Sequence, residues 1–487
     1  MPRLPLASIV PLFAASLAVA QGPSFVAPAG ETVLNTAFTQ VVTTTGPINV
    51  SGGLFFFDTV TIPAGATVVG TGPNPMIWVV NDMIVDGRLS ADGGDGARVD
   101  TLSSAQFAKS GGVGGPAGGN GGAGTPATTA QSLYGQSGFG PGNAPGLGGR
   151  GGLLSFVAAC GRGSGGGGGS FATAGDPWFR TPAGTGTSFL QRAGNGGMGC
   201  LGVSGSANRT LLPGTAGPVR FVDARPDNDF FGLGYDFAAQ QFVQGELSSL
   251  TGGAGGGGGG DMSNDNTLFS SNWPLDASGG GGGGGGGCLV IVALNRIVVG
   301  DTGSITANGG HGGGGEQAGS SNKGGGGGGG SGGLLILVAA NEIELHVKGE
   351  TYANNDYDFV LSADGGVCRT SGYLPPYIVG KYPPNGQPTI AGNVYDSYPH
   401  GGFGGMGVVQ MIAPIGNNTD GTNTRLDDNI RLFRNGTPLT GAEKQRYLAW
   451  RGFIDANGVR VDDLGNAIVI GDDEGDIRPT PHLLPLL

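Results

Sequence analysis

The side chains able to do chemistry gather in a few short phrases. Leu89–Gly94 and Leu361–Gly366 both read LSADGG and Ile305–Gly310 reads ITANGG, so Asp92, Asn308 and Asp364 hold equivalent places. A column of carboxylates along one edge of a stacked fold would offer hard oxygens to Ca²⁺, or an acid and a base for glycosidic cleavage. Asp82 and Asp86 are near enough in sequence to join Asp92 in that second role. The competing reading is structural: Asp and Asn accept main-chain N–H bonds where a strand turns, and the glycine pair that follows suits such a turn. Asn308 favours the structural reading, because an amide replaces a carboxylate as an acceptor but not as a base or a charge.

A second acidic set lies near the C-terminus. Asp455, Asn457, Asp462, Asp463, Asp472, Asp473 and Glu474 could ligate Ca²⁺ through oxygen, the one cofactor the sequence suggests. Position twelve from Asp455 is Asn466 rather than Glu, so this is not an EF-hand, and solvated turns are the alternative. Four histidines, His311, His346, His400 and His482, share no metal-binding or triad spacing. Gly329-Gly330-Ser331-Gly332-Gly333 satisfies G-x-S-x-G, but a strand pattern rather than a helix follows the serine, against a nucleophile elbow. The four cysteines, Cys160, Cys200, Cys288 and Cys368, have no zinc-site spacing. In a secreted chain they suggest disulfides, with Cys160–Cys200 and Cys288–Cys368 the preferred pairing and buried thiols the alternative.

These residues hang on a two-part module. An apolar run meets an Asn and resumes as N-x-Φ-x-Φ, where Φ is apolar, at Met76–Val85 (MIWVVNDMIV), Leu289–Val299 (LVIVALNRIVV) and Leu334–Glu344 (LLILVAANEIE); the ADGG or ANGG phrase comes next. From Thr59 a short strand pattern returns about every eight to ten residues between Gly and Pro breaks, the spacing of β-solenoid rungs. The stretch IPAGATVVGTGPNPMIWVVNDMIVDGRLSADGGDG, with the glycine loops and GGLLILVAANEI further on, resembles glycine-rich, parallel-β-helix-like secreted proteins of bacteria. The resemblance covers roughly Thr59 to Pro414 and implies a β-helical fold at the cell surface, with no particular chemistry. The copies are unevenly placed: 214 residues separate Asn81 from Asn295, and 46 separate Asn295 from Asn341. The chain therefore reads as an irregular parallel β-solenoid with long glycine-rich excursions that leave through ADGG and re-enter through an apolar strand.

Glycine fills 107 of 487 positions, about three times its usual share. Poly-Gly is read either as flexible linker or as packed polyglycine-II layers; ordering it costs about 0.5–1 kcal/mol per residue relative to Ala, which only dense hydrogen bonding offsets. No Gly-X-Y register is sustained, which excludes collagen. A net charge of −12 argues against nucleic acid or anionic membrane as partner. Arg3, the apolar Leu4–Ala18 and Ala18-Val19-Ala20 read as a secretory signal, with no later run long enough to span a membrane.

The expected organisation is all-β: signal peptide 1–20, N-terminal β cap 21–58, glycine-rich solenoid 59–415, and a C-terminal cap 416–487. The cap should hold one short helix, Ala442–Arg451, opened by a Thr440/Glu443 capping box. The expected function is a secreted, non-enzymatic structural or adhesive surface protein whose partners are surface polysaccharide, other envelope proteins or its own copies. The alternatives are a carbohydrate-active β-helix enzyme and, further off, an ice- or surface-binding protein.

Overall fold

Runs of β-branched and aliphatic residues bounded by Gly, Pro and Asx become strands, which the chain lays down in successive passes. The computed structural model describes residues 22–98, 109–125, 135–145, 166–171, 228, 230–236, 240–260, 278–315, 325–347, 360–366, 401–402, 404–416, 426–441, 444 and 481–486. The expected signal segment, most of the expected C-terminal helix and the 455–474 acidic set lie outside these residues.

The first pass holds β1 (Phe25–Val26) and β2 (Gly30–Asn35), followed by the hairpin β3 (Phe38–Thr43) and β4 (Gly46–Ser51). The second holds β5 (Leu54–Phe56), β6 (Thr59–Ile62) and β7 (Ala66–Thr71); the third holds β8 (Met76–Val85) and β9 (Arg88–Ser90). Two small hairpins come next, β10 (Phe139–Gly140) with β11 (Ala144–Pro145), and β12 (Leu233–Asp236) with β13 (Gln241–Gln244). The fourth pass is β14 (Cys288–Val299) and β15 (Ser304–Thr306); the fifth is β16 (Leu334–Ala339), β17 (Glu342–His346) and β18 (Leu361–Ser362). The sixth is β19 (Val408–Pro414) and β20 (Ile430–Arg434), which turns back into β21 (Thr437–Pro438), and β22 (Pro481–Leu486) ends the stack.

Each pass adds parallel strands in the same places. An 11-stranded sheet runs through β8, β14, β16, β19 and β22, and a five-stranded sheet has the order β18-β15-β9-β7-β2. The fold is thus all-β and largely parallel. Trp78, Ile291, Leu337 and Met411 stand in register on the inner face of the large sheet, and all are buried. Phe55 stacks on Trp78 at 4.7 Å between ring centroids, with Phe25 and Phe57 beside them. The alternate positions face outward, so the large sheet is apolar on both sides, as parallel sheets covered on both faces are. Val290, Ile336 and Val408 pack there under Phe171, Phe231 and Leu247.

The glycine runs continue these sheets and are hydrogen-bonded along the lengths described. Residues 278–287, which lead into β14, donate to three neighbouring segments in rotation. Gly281, Gly284 and Gly287 bond Ala97, Gly94 and Ala91; Gly282 and Gly285 bond Gly122 and Gly119; Gly280, Gly283 and Gly286 bond Gly325, Gly328 and Ser331, all at 2.7–3.0 Å. Its carbonyls accept from three more segments, for example from Gly112, Gly256 and Gly310. A three-residue rotation with lateral bonds is the geometry of side-chain-free polyproline-II-type helices. Six neighbours leave no room for a Cβ: one on Gly283 would stand 2.0 Å from the Gly310 carbonyl oxygen.

The β3–β4 hairpin turns Val41 and Val50 into the main core and leaves Phe38 and Val42 exposed. β22 carries Pro481 and Pro485, which have no N–H to offer a further strand.

Candidate functional site

The phrase that repeats most closely in sequence forms a ladder. Asp92 Oδ1 accepts the main-chain N–H of Asn308 at 2.6 Å, and Asn308 Oδ1 accepts that of Asp364 at 2.8 Å. Asp92 and Asn308 therefore each reach to the equivalent residue of the next pass, where the strand gives way to glycine. The preceding hydroxyls join in: Thr306 Oγ1 donates to Asp92 at 3.0 Å, and Ser362 Oγ donates to Asn308 Oδ1 and to Asp364. Arg88 pairs with Asp92. An acceptor oxygen is what each place requires, and so Asp and Asn interchange.

A second ladder marks the bend between the halves of the long strands. Asn341 Nδ2 donates to Asn295 Oδ1 and Asn295 Nδ2 to Asp82 Oδ1, both at 2.7 Å. Arg296 Nε also bonds Asp82 at 3.3 Å. The Asn of N-x-Φ-x-Φ is thus a joint of the scaffold in the last two copies, met in β8 by Asp82 rather than Asn81, and β14 carries its register shift against β8 between Ala293 and Arg296, next to that joint.

Beside the Asx ladder, the outer face of the five-stranded sheet opens into a groove of about 770 Å³. Its floor is built by Thr67, Val69 and Thr71 of β7 with Arg88 and Ser90 of β9, alternate residues that a strand turns to one face. Glu31 closes one side; Asp92, Asp95, Asn308 and His311 stand where the strands become glycine helices, and Val113 of a neighbouring glycine segment forms a wall. Asp95 Oδ1 accepts the main-chain N–H of His311 at 2.9 Å. Of the residues with candidate chemistry, the groove gathers Asp92, Asn308 and His311 but neither Asp82 nor Asp86. Sequence reading missed Glu31, Thr67, Thr71, Arg88 and Asp95; the T-V-V-G-T alternation of β7 was the available signal.

The remaining candidates fall elsewhere. Asp86 accepts a bond from Thr302 Oγ1 on its main-chain oxygen at 2.5 Å. His346 lies between Asp301 and Glu344 at 2.8 and 3.0 Å; partial burial would lower its pKa, but bonds to the two carboxylates outweigh this and raise it. Ser331 is buried inside the glycine bundle, where its Oγ exchanges bonds with the main chain of Ala254, as a backbone group would. The expected Cys288–Cys368 bridge is not seen: Cys288 is a free thiol that its strand position turns into the outer apolar cluster, where burial raises its pKa. Cys160, Cys200 and Cys368 lie outside the described residues, as do the Ca²⁺ candidates Asp455, Asn457, Asp462, Asp463, Asp472, Asp473 and Glu474. Among the described residues no three His, Cys, Asp or Glu side chains meet in a way that would hold a metal ion, and no described helix is long and apolar enough to cross a membrane.

Comparison of the chain with models of known protein families, with characterised proteins and with solved structures finds no match.

Proposed function

We propose that the chain is a secreted, non-enzymatic scaffold of a cell surface or extracellular matrix. Its architecture reads as an irregular parallel β-solenoid whose successive turns are held together by a polyglycine-II bundle. The observation that carries the functional reading is the Asx ladder. Asp92, the best placed of the acids for catalysis, holds the main chain of the next pass through an oxygen that Asn308 supplies equally well one pass later. A residue kept for acid–base chemistry would not share its role with an amide.

Support also comes from the bundle itself, whose lateral hydrogen bonds run to six neighbouring segments and tie successive passes together. The secreted location rests on the leader-like Met1–Ala20 and the resemblance to surface proteins.

Asp92→Asn separates the scaffold from the carbohydrate-active alternative, because it preserves the acceptor and removes the base. Wild type and variant are incubated with a panel of polysaccharides while new reducing ends are measured. The scaffold reading expects no turnover by either and stabilities within about 1 kcal/mol of each other, the difference being the exposed Arg88 pair that the variant loses. Turnover by the wild type that Asp92→Asn abolishes would establish the enzyme instead.

A further inference from the structure

We propose that the groove on the outer face of the five-stranded sheet binds an uncharged oligosaccharide, and that through it the scaffold attaches to a neutral polysaccharide. This deepens the surface-scaffold reading and rests on it for the biological setting only.

The floor is amphipathic on the scale of a sugar. Val69 lies between Thr67 and Thr71 with Ser90 alongside, and Val113, 63% exposed, stands on the wall. Such a surface offers C–H groups a place to rest within reach of hydroxyls, the pairing that a polyol with apolar ring faces requires. The volume of about 770 Å³ suits a few linked sugar rings rather than an ion. The polar edge of the groove is also pre-formed: Asp92 and Asn308 are fixed by the ladder, and Asp95 by the His311 N–H. Little ordering therefore opposes binding.

The charge decides which sugars. Among the described residues that line it, Glu31, Asp92 and Asp95 outnumber Arg88, the one guanidinium, and the whole chain is strongly acidic. Arg88 is moreover paired with Asp92. Sulfated and uronate chains would meet like charge in the groove and be repelled. Neutral hexose and N-acetylhexosamine oligomers would meet carboxylate acceptors for their hydroxyls without that cost.

The test titrates the full chain with neutral hexaoses (a glucan series and an N-acetylglucosamine series), with oligogalacturonate and with a sulfated heparin fragment, by calorimetry. The expected result is saturable binding of at least one neutral oligomer and at least tenfold weaker binding of both acidic ones. Thr67→Arg projects a long side chain from the outer face of β7 into the groove and should weaken neutral binding at least tenfold with an unchanged melting curve. Asp95→Asn keeps the acceptor for His311 and should narrow the gap between neutral and acidic ligands. Absence of neutral binding, equal or better binding of the acidic oligomers, or full affinity in a folded Thr67→Arg would each overturn the groove. Reducing ends measured in the same samples report on the scaffold reading separately. Turnover would overturn that reading, whereas loss of the groove would leave it standing.

Discussion

Replacing Gly283 by Ala should come close to unfolding the molecule, although no polar group is lost and alanine is normally the more favourable residue. A Cβ on Gly283 would lie 2.0 Å from the Gly310 oxygen and 2.5 Å from its carbonyl carbon. Relief requires the two segments to part by more than about 1 Å, since non-bonded heavy atoms settle near 3.5 Å. That movement stretches the bonds from Gly310 to Gly284 and from Gly313 to Gly281, now 2.7 and 2.8 Å, out of hydrogen-bonding range. Two buried donors and acceptors left unmade cost about 1–3 kcal/mol each, against which the stiffer unfolded chain returns about 0.4–1 kcal/mol. The net loss is about 1–5 kcal/mol, at its upper end a large part of the roughly 5–15 kcal/mol that holds a typical domain. Gly94→Ala is the control: it sits in the same bundle but is exposed, and its Cβ would meet Val113 at 3.3 Å, so it should cost under about 1 kcal/mol. Guanidinium unfolding followed by tryptophan fluorescence reads both, with Trp78 buried in the adjoining core. Midpoints for the two variants within about 1 kcal/mol of each other would refute the close-packed bundle.

Other perturbations test other joints. Asp92→Ala should cost about 2–3 kcal/mol in the same unfolding assay, because it strands the Asn308 N–H, whereas Asp92→Asn should stay within about 1 kcal/mol of wild type. Gln410 is buried, donates to the Phe231 carbonyl at 2.9 Å and accepts from its N–H at 3.1 Å; Gln410→Leu should speed hydrogen exchange at Phe231 and its neighbours while leaving β14 and β16 protected. The pKa of His346 is raised in the folded state, so its stabilising effect is complete below its ordinary value near 6.5 and fades as pH rises through the folded value. Stability measured from pH 5 to 9 should show that decline in wild type and lose it in His346→Gln. Deleting the β3–β4 hairpin uncovers the end of the core and should convert a monodisperse protein into aggregates on size exclusion.

The module phrases were legible because each carries its own physics. An apolar run broken by Asn announced the bend of β14 and β16–β17, and LSADGG announced the passage from strand to glycine. The substitution of Asn308 for Asp pointed to an acceptor oxygen, and Asp92 and Asn308 both accept main-chain N–H groups in the ladder. The state of the glycine runs was not legible from composition, since flexible and packed poly-Gly share it. A finer pattern was present and went unread: Ser110-Gly-Gly-Val113-Gly-Gly-Pro116 and Ala117-Gly-Gly-Asn120-Gly-Gly-Ala123 repeat every three residues. Asp92 and Asp95, and Asn308 and His311, keep the same interval. The groove was hidden for another reason. It joins Glu31 of β2 to residues of β7, β9 and three glycine segments, and only parallel stacking in register brings these together.

That three-residue interval also explains where side chains are allowed. A helix with three residues per turn presents three rows, and a neighbour on either side of a row excludes any Cβ from it. Residues 279–287, bonded to six segments, are glycine throughout. Segments at the bundle's rim have one open row, and there the sequence admits Asp92, Asp95, Val113, Asn308 and His311. These are the side chains that turn toward the groove. The packing rule that demands glycine in the centre thus also selects which few positions can contact anything outside, and it places them in rows on one face. The chemistry of the groove can therefore be altered at rim positions whose side chains, unlike those of Asp92, Asp95 and Asn308, hold no main-chain group of the next pass. Val113→Thr, at an exposed rim position, should leave the unfolding midpoint unchanged, whereas Gly96→Ala, whose Cβ would lie 2.0 Å from the Gly281 oxygen, should lower it as Gly283→Ala does.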